Sequence, residues 1–316
     1  MDTPQAKAGF VKCAAVILAA VLGCAAAMSG CRENSEPAKD APDQPKEDKT
    51  QDTAAGPARP MRILFIGNSY TDVNDLPRML EQFGRAAGRP IETARAVPGG
   101  WTLQKHWQDG PAPKMIAEGK WDYVVLQEQS QLPIVKPELM HKYVRLFDAE
   151  IRKVGAKTVL FMTWARRNLP QQQAGLTKAY CDVGGEIGAA VAPVGAAWET
   201  ALAERPGLDL YHDDNSHPKP AGTYLAACVF YATLTGQSPE GMPAKVTAEF
   251  QAGRSRLKRV LADLSADEAA FLQRVAWKTV KAFEAATSRS RENGDWLKQG
   301  RPKGGRDVPV PVFAAR

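Results

Sequence analysis

Cysteine is scarce in the body of this chain. Five occur in 316 residues, but Cys13, Cys24 and Cys31 crowd into the leader, leaving Cys181 and Cys228 for everything after. There is no Cys-x-x-Cys, and the four histidines are too scattered for a sequence-local zinc site, so no metal is expected. Cys181 and Cys228 fall on separate predicted helices, and both pairing and two buried free thiols stay open. No internal repeat is present. Basic and aromatic residues do not interleave and no nucleic-acid module occurs, so no nucleic-acid partner is expected. Charge of one sign is also modest: the formal net charge is +6. Much of that excess sits at 288–316, in Arg289, Arg291, Lys298, Arg301, Lys303 and Arg306 among glycines and prolines. That segment reads as a solvated tail.

What is present begins with a leader. Lys7 and Lys12 precede an apolar run from Cys13 to about Met28, which has signal-peptide length and is shorter than a bilayer-spanning helix needs. It ends in Met28-Ser29-Gly30-Cys31, small residues before a cysteine that resemble a bacterial lipobox. Cys24, after Leu22-Gly23, is a competing site that would leave a shorter apolar region. The abrupt change of polarity favours Cys31, giving residues 1–31 as a lipoprotein-type signal peptide. Residues 32–60 carry Glu, Asp, Lys, Pro and Gln with almost nothing to bury, and are expected to form a flexible tether. An exported protein held to a bacterial membrane through an N-terminal lipid is the expectation. A cleaved signal peptide and a freely secreted protein is the alternative.

Residues 61–287 read as one α/β domain. Apolar runs at 61–66, 91–97, 123–126, 157–162 and 190–194 predict five buried strands. Helices are expected at 76–87, 137–154, 171–190 and 218–236, with 102–118 mostly helical or irregular. Ser265-Ala266-Asp267-Glu268 is a capping box that opens a long helix to about Ala286, with an apolar stripe of Phe271, Val275, Val280 and Phe283. Strands apolar throughout and alternating with helices imply a parallel sheet covered on both faces. The expected architecture is a three-layer α/β/α sandwich of flavodoxin-like character with about five strands.

Ligands of such sheets gather at the carboxyl ends of the strands. There stand Gly67-Asn68-Ser69, Gly99-Gly100, Gln127-Glu128-Gln129-Ser130 and Thr163-Trp164, with Asp214-Asn215-Ser216-His217 downstream. A serine hydroxyl needs a base to become a nucleophile, His217 can serve near neutral pH, and Asp214 on the same loop can orient its other ring nitrogen. Backbone N–H groups of Ser69 and the flexible Gly100 could stabilise an oxyanion, with a side-chain amide from Gln127, Gln129 or Gln131 as a third donor. His212 reads as a loop residue and His106 as a partly exposed helix residue. Trp101 and Trp164 could form the floor of a sugar or acyl site, with packing in the core or at the rim as the equal alternative. Trp198 and Trp277 read as core. Glu128 is either an extra acid or, more simply, half of a strand-end salt bridge.

In order and placement these pieces resemble the SGNH (GDSL-like) hydrolase superfamily over about Met61 to Gly236. The serine block matches as Gly67-Asn68-Ser69-Tyr70-Thr71, the glycine block as Gly100-Trp101-Thr102, and the Asp-x-x-His block as Asp214 and His217 followed by Pro218. The asparagine block departs from the pattern, since Leu126 to Gln131 reads LQEQSQ. A branch with GNSxT, GGxTL, LQEQS and MTW strings shares this substitution. The resemblance implies a serine esterase with Ser69, Asp214 and His217 as the triad and no cofactor. Gln129, then Gln127, would take the asparagine's place. An O-acetyl group on carbohydrate is the substrate it suggests. A non-hydrolytic glycan-binding surface protein, or an acyltransferase or lipase-type member, is the alternative. Oligomeric state is not legible here.

Overall fold

A computed structural model describes residues 59–292 apart from Arg254. The leader, Cys31, nearly all of the 32–60 segment and the tail beyond Glu292 lie outside the described residues. Five parallel strands form the central sheet: β1 (Met61–Ile66), β2 (Ile91–Ala96), β3 (Tyr123–Leu126), β4 (Lys157–Phe161) and β5 (Ala190–Ala192), in the order β2-β1-β3-β4-β5. This is the flavodoxin-like order, whose chain reverses direction across the sheet between β1 and β3.

The strands are apolar throughout because both faces are covered. Ile63 and Phe65 of β1 enter one core, while Leu64 and Ile66 enter the other, and all four are fully buried. The first core lies beneath α2 (Leu76–Ala86), α8 (Val194–Glu204), α9 (Pro220–Thr235) and α10 (Ala266–Glu292). The second is closed by α3 (Leu103–Asp109), α4 (Ala112–Glu118), α6 (Pro137–Lys153) and α7 (Gln173–Ile187). Helix α9 is apolar on every side because α2, α8 and α10 all pack against it. Two single-turn helices, α1 (Ser69–Asp72) and α5 (Leu132–Val135), follow β1 and β3 directly.

Two elements differ from the sequence expectation. An antiparallel hairpin, β6 (Lys245–Ala252) and β7 (Ser255–Asp263), was not legible, and neither was α8. In the hairpin only one end buries apolar residues (Val246, Ala248, Leu261, Ala262). Leu257 and Val260 stay exposed, so the alternation that marks a half-buried strand is diluted. Helix α10 also runs past Ala286 to Glu292. Phe271, Val275 and Val280 are buried along it, whereas Phe283 and Trp277 are only partly covered. Its cap is realised: Ser265 Oγ accepts from the Glu268 amide at 3.1 Å. Ser265→Ala is expected to cost about 1 kcal/mol, read as a lowered urea midpoint with an unchanged slope. Cys181 and Cys228 are both free thiols, so the pairing alternative is not realised.

Candidate active site

The carboxyl end of β1 turns sharply at Gly67. A Cβ there would lie 2.4 Å from Gln127 Oε1 and 2.8 Å from Thr71 Oγ1, so only glycine lets β1 and β3 deliver their ends side by side. Asn68 then caps α1 in extended conformation, its side chain accepting from the Tyr70 amide at 3.1 Å. Ser69 follows as the first helical residue.

Across from it, the loop before α9 is folded around Asp214. One carboxylate oxygen accepts from the backbone amides of Ser216 (3.0 Å) and His217 (2.9 Å). The other is hydrogen-bonded to Nδ1 of the His217 ring. Nε2 of the same ring lies 2.8 Å from Ser69 Oγ. Ser69, His217 and Asp214 are therefore brought together in one relay, although 148 residues separate its ends. Burial alone would raise the Asp214 pKa, but the bonds from the His217 ring and the two amides outweigh it and hold the group at about 2. Asn215, with φ of 61°, makes the reversal that allows Asp214 and His217 to face each other. His212 contributes only its backbone to this loop and its side chain is exposed.

The three strand-end blocks are joined through side-chain amides. Asn68 Nδ2 donates to the Trp101 carbonyl at 2.9 Å, fixing the glycine loop against the serine turn. Gln127 Oε1 accepts from the Asn68 amide (2.8 Å) and Thr71 Oγ1 (3.0 Å), while its Nε2 donates to Asn68 Oδ1 (2.9 Å) and the Glu128 carbonyl (2.7 Å). Both Gln127 amide hydrogens are thus taken, leaving none for an oxyanion: its place is beneath the nucleophile turn. Gln129 Oε1 accepts from the amides of Gln131 and Leu132 at 2.8 and 3.2 Å, and its Nε2 is only 3.4 Å from Ser130 Oγ. Gln131, half-buried, directs its own Nε2 toward the Ser130 carbonyl at 3.4 Å. Gly100 has φ of +71° with open space around it, so its backbone is accessible. Among the described residues, neither the Ser69 nor the Gly100 amide is engaged by another protein group.

Several expectations need correction. Trp164 is 1% exposed and stacks between Tyr70 and Trp198, with ring centroids 4.6 and 4.1 Å away. Its Nε1 donates to the Ser216 carbonyl at 3.0 Å, so it braces the triad loop from below and cannot floor a substrate site. Trp101 is half-buried at the rim, with Lys105 over its face. His106 is fully buried rather than partly exposed. Its Nε2 donates to the Gly67 carbonyl at 2.6 Å, and burial, opposed by that bond, lowers its pKa. Glu128 is likewise fully buried and, among the described residues, has no cationic partner. Its Oε1 accepts from the amides of Leu103 (3.2 Å) and Gln129 (2.6 Å), and burial pushes its pKa up to about 7.

Two elements of the site were missed: Asn68 as the cross-link between blocks, and Tyr70. An asparagine at a strand end, where its side chain can cap a following helical turn, was the available signal for the first. Tyr70 shares a hydrogen bond of 2.6 Å with Ser216 Oγ, and its ring meets that of His217 edge-on at 5.6 Å.

No family model and no curated protein matches the chain. Solved structures do. A "putative SGNH hydrolase" from Slackia heliotrinireducens is 29% identical, matching 56% of this chain and 100% of its own length with a TM-score of 0.50. A DUF4886 family protein from Bacteroides uniformis is 20% identical over 70% of this chain and 95% of its own, with a TM-score of 0.55, a likeness of fold alone. The sheet order, the strand-end placement of the blocks and the Slackia likeness agree in supporting the SGNH/GDSL-like superfamily of serine hydrolases.

Proposed function

We propose that this hydrolase is an esterase that removes an O-acyl group, an O-acetyl in our reading, from carbohydrate through an acyl-enzyme. The observation that carries this is the relay Ser69–His217–Asp214 with unengaged amides on Ser69 and Gly100 beside it. In the proposed reaction Ser69 Oγ attacks the ester carbonyl while His217 Nε2 takes its proton. The proton passes to the leaving sugar oxygen as the tetrahedral intermediate collapses to acyl-Ser69. A water, deprotonated by His217, then attacks the acyl carbon and releases the carboxylic acid. The amides of Ser69 and Gly100 would hold the oxyanion, with Gln129 as the remaining side-chain candidate and Trp101 at the rim as a sugar contact. No cofactor enters this scheme.

The sequence of the leader supports a location for this activity: an exported enzyme, lipidated at Cys31 and tethered by residues 32–60 outside a bacterial cytoplasmic membrane. Acylated glycans are the esters such a tether would bring within reach. Purified protein should hydrolyse 4-nitrophenyl acetate and be labelled at Ser69 by a fluorophosphonate. Equal background rates for wild type and Ser69→Ala, with no label at Ser69, would leave a non-hydrolytic glycan-binding protein as the surviving reading. Acetyl transfer to an added sugar acceptor would instead indicate an acyltransferase.

A further inference from the structure

Beyond β4 the chain carries two arginines in succession, and their surroundings differ. Arg167 is matched: it meets Asp209 at 3.3 Å and lies over the Tyr211 ring, 5.1 Å from its centroid. Arg166 is not. Among the described residues no carboxylate pairs with it, and its only hydrogen bond is a long one, from a terminal guanidinium nitrogen to Ser130 Oγ at 3.5 Å. Its Nε is fully shielded from water and has no partner. A guanidinium is charged at every accessible pH, and half-burying it without a counter-charge has a cost. Such a group is retained where something else supplies the anion.

Its position says where that anion would sit. Ser130 follows β3 and Arg166 follows β4, whereas Gly100 follows β2, on the other side of Ser69 in the sheet order. Arg166 also contributes its charge at the Tyr70 hydroxyl, where burial raises the phenol pKa and Ser216, Ser130 and Arg166 lower it. Tyr70 in turn is bonded to Ser216, the neighbour of His217. The guanidinium therefore stands on the β3–β4 side of Ser69, opposite the glycine loop in the sheet order.

We propose that Arg166 is a substrate-recognition residue that binds an anionic group, a carboxylate or phosphate, on the alcohol part of the ester. This rests on the esterase reading above: an acetyl group has no room for a charge, so the anion must belong to the sugar. The substrate class narrows to O-acetylated acidic sugars. The fork of a guanidinium suits the paired oxygens of either anion.

The test compares three methyl glycosides, each with one O-acetyl group: a glucuronate, a glucose 6-phosphate and a neutral glucose. The full-length wild type should favour at least one of the anionic esters over the neutral one by about tenfold in kcat/KM or more, mainly through KM. The preference should shrink as NaCl rises from ~20 to ~500 mM, because screening acts on the charge alone. Which acid leads identifies the anion. Arg166→Gln should bring the ratio of anionic to neutral substrate close to one, and Arg166→Lys should restore part of it. A merely structural arginine would move all three substrates together. Equal rates on the three sugars in wild type, or a preference that survives Arg166→Gln, overturns the proposal. Calorimetric binding of the deacetylated methyl glucuronoside and methyl glucoside 6-phosphate to Ser69→Ala separates the two readings. Arg166-dependent binding without turnover of any acetyl ester would end the esterase reading and leave the anion site standing.

Discussion

His217→Ala is expected to lower kcat for ester hydrolysis by about a millionfold while leaving KM close to its original value. In the proposed mechanism the ring has two jobs that no neighbour can assume. It takes the proton of Ser69 Oγ, 2.8 Å away, and later returns a proton to the leaving group. His212 is exposed, and His106 is buried with Nε2 committed to the Gly67 carbonyl. Neither can substitute. Asp214→Asn should cost less, on the order of a hundredfold to a thousandfold, compared with ~10⁴ for a buried triad aspartate. The Asp214 side chain is 47% exposed, so water can take over part of the stabilisation of the imidazolium. What the asparagine cannot do is accept both from the ring and from two amides with full charge. Because the carboxyl group is held at about 2, it is ionised throughout the range above about pH 4 and adds no inflection of its own to the rate profile there. Stopped-flow burst and steady-state rates on 4-nitrophenyl acetate for wild type and the two variants check the ordering. An Asp214→Asn loss as large as that of His217→Ala would contradict the division of labour.

The Ser69–His217–Asp214 relay was legible because its members sit in short strings: a strand-end serine, and Asp and His three residues apart on one loop. The five sheet strands were legible for a related reason, since burial on both faces demands continuous apolar runs such as MRILFI and YVVL. What escaped was everything that depends on a partner distant in the chain. Gln127 and Gln129 carry the same side chain two residues apart, and only the approach of Asn68 to one of them decides which is tied down. Trp164 reads equally as site floor, core or rim until Tyr70 and Trp198 close over both faces. Arg166 and Arg167 are indistinguishable as a dipeptide, and Asp209 and Tyr211 separate them. The hairpin β6–β7 was hidden because its outer half is mostly exposed, with Leu257 facing solvent and Phe250 only partly covered.

Glu128 gives the second large effect, and it appears in stability rather than in rate. The group is fully buried, accepts two backbone amides on Oε1 and leaves Oε2 without a partner. Burial penalises the charged form, which raises its pKa to about 7 in the folded chain, against ~4.3 when unfolded. Below about pH 4 both states are protonated and the full folding free energy is available. Between about pH 4 and 7 the unfolded chain has released this proton while the folded chain still holds it, so stability falls as pH rises. The loss amounts to about 3–4 kcal/mol once pH has passed the folded value, at 1.36 kcal/mol for each tenfold difference. Glu128→Gln keeps an acceptor for the Leu103 and Gln129 amides but cannot ionise. It replaces Oε2 with a buried amide that also lacks a partner, so at pH 5 it is expected to be no more stable than wild type. At pH 8 it should be the more stable protein, because wild type alone bears the cost of a charge in the core. Urea unfolding at both pH values reads the crossover directly. Parallel pH dependence in the two proteins would mean that Glu128 ionises in the folded state as readily as in water, and that its surroundings are more polar than its burial implies.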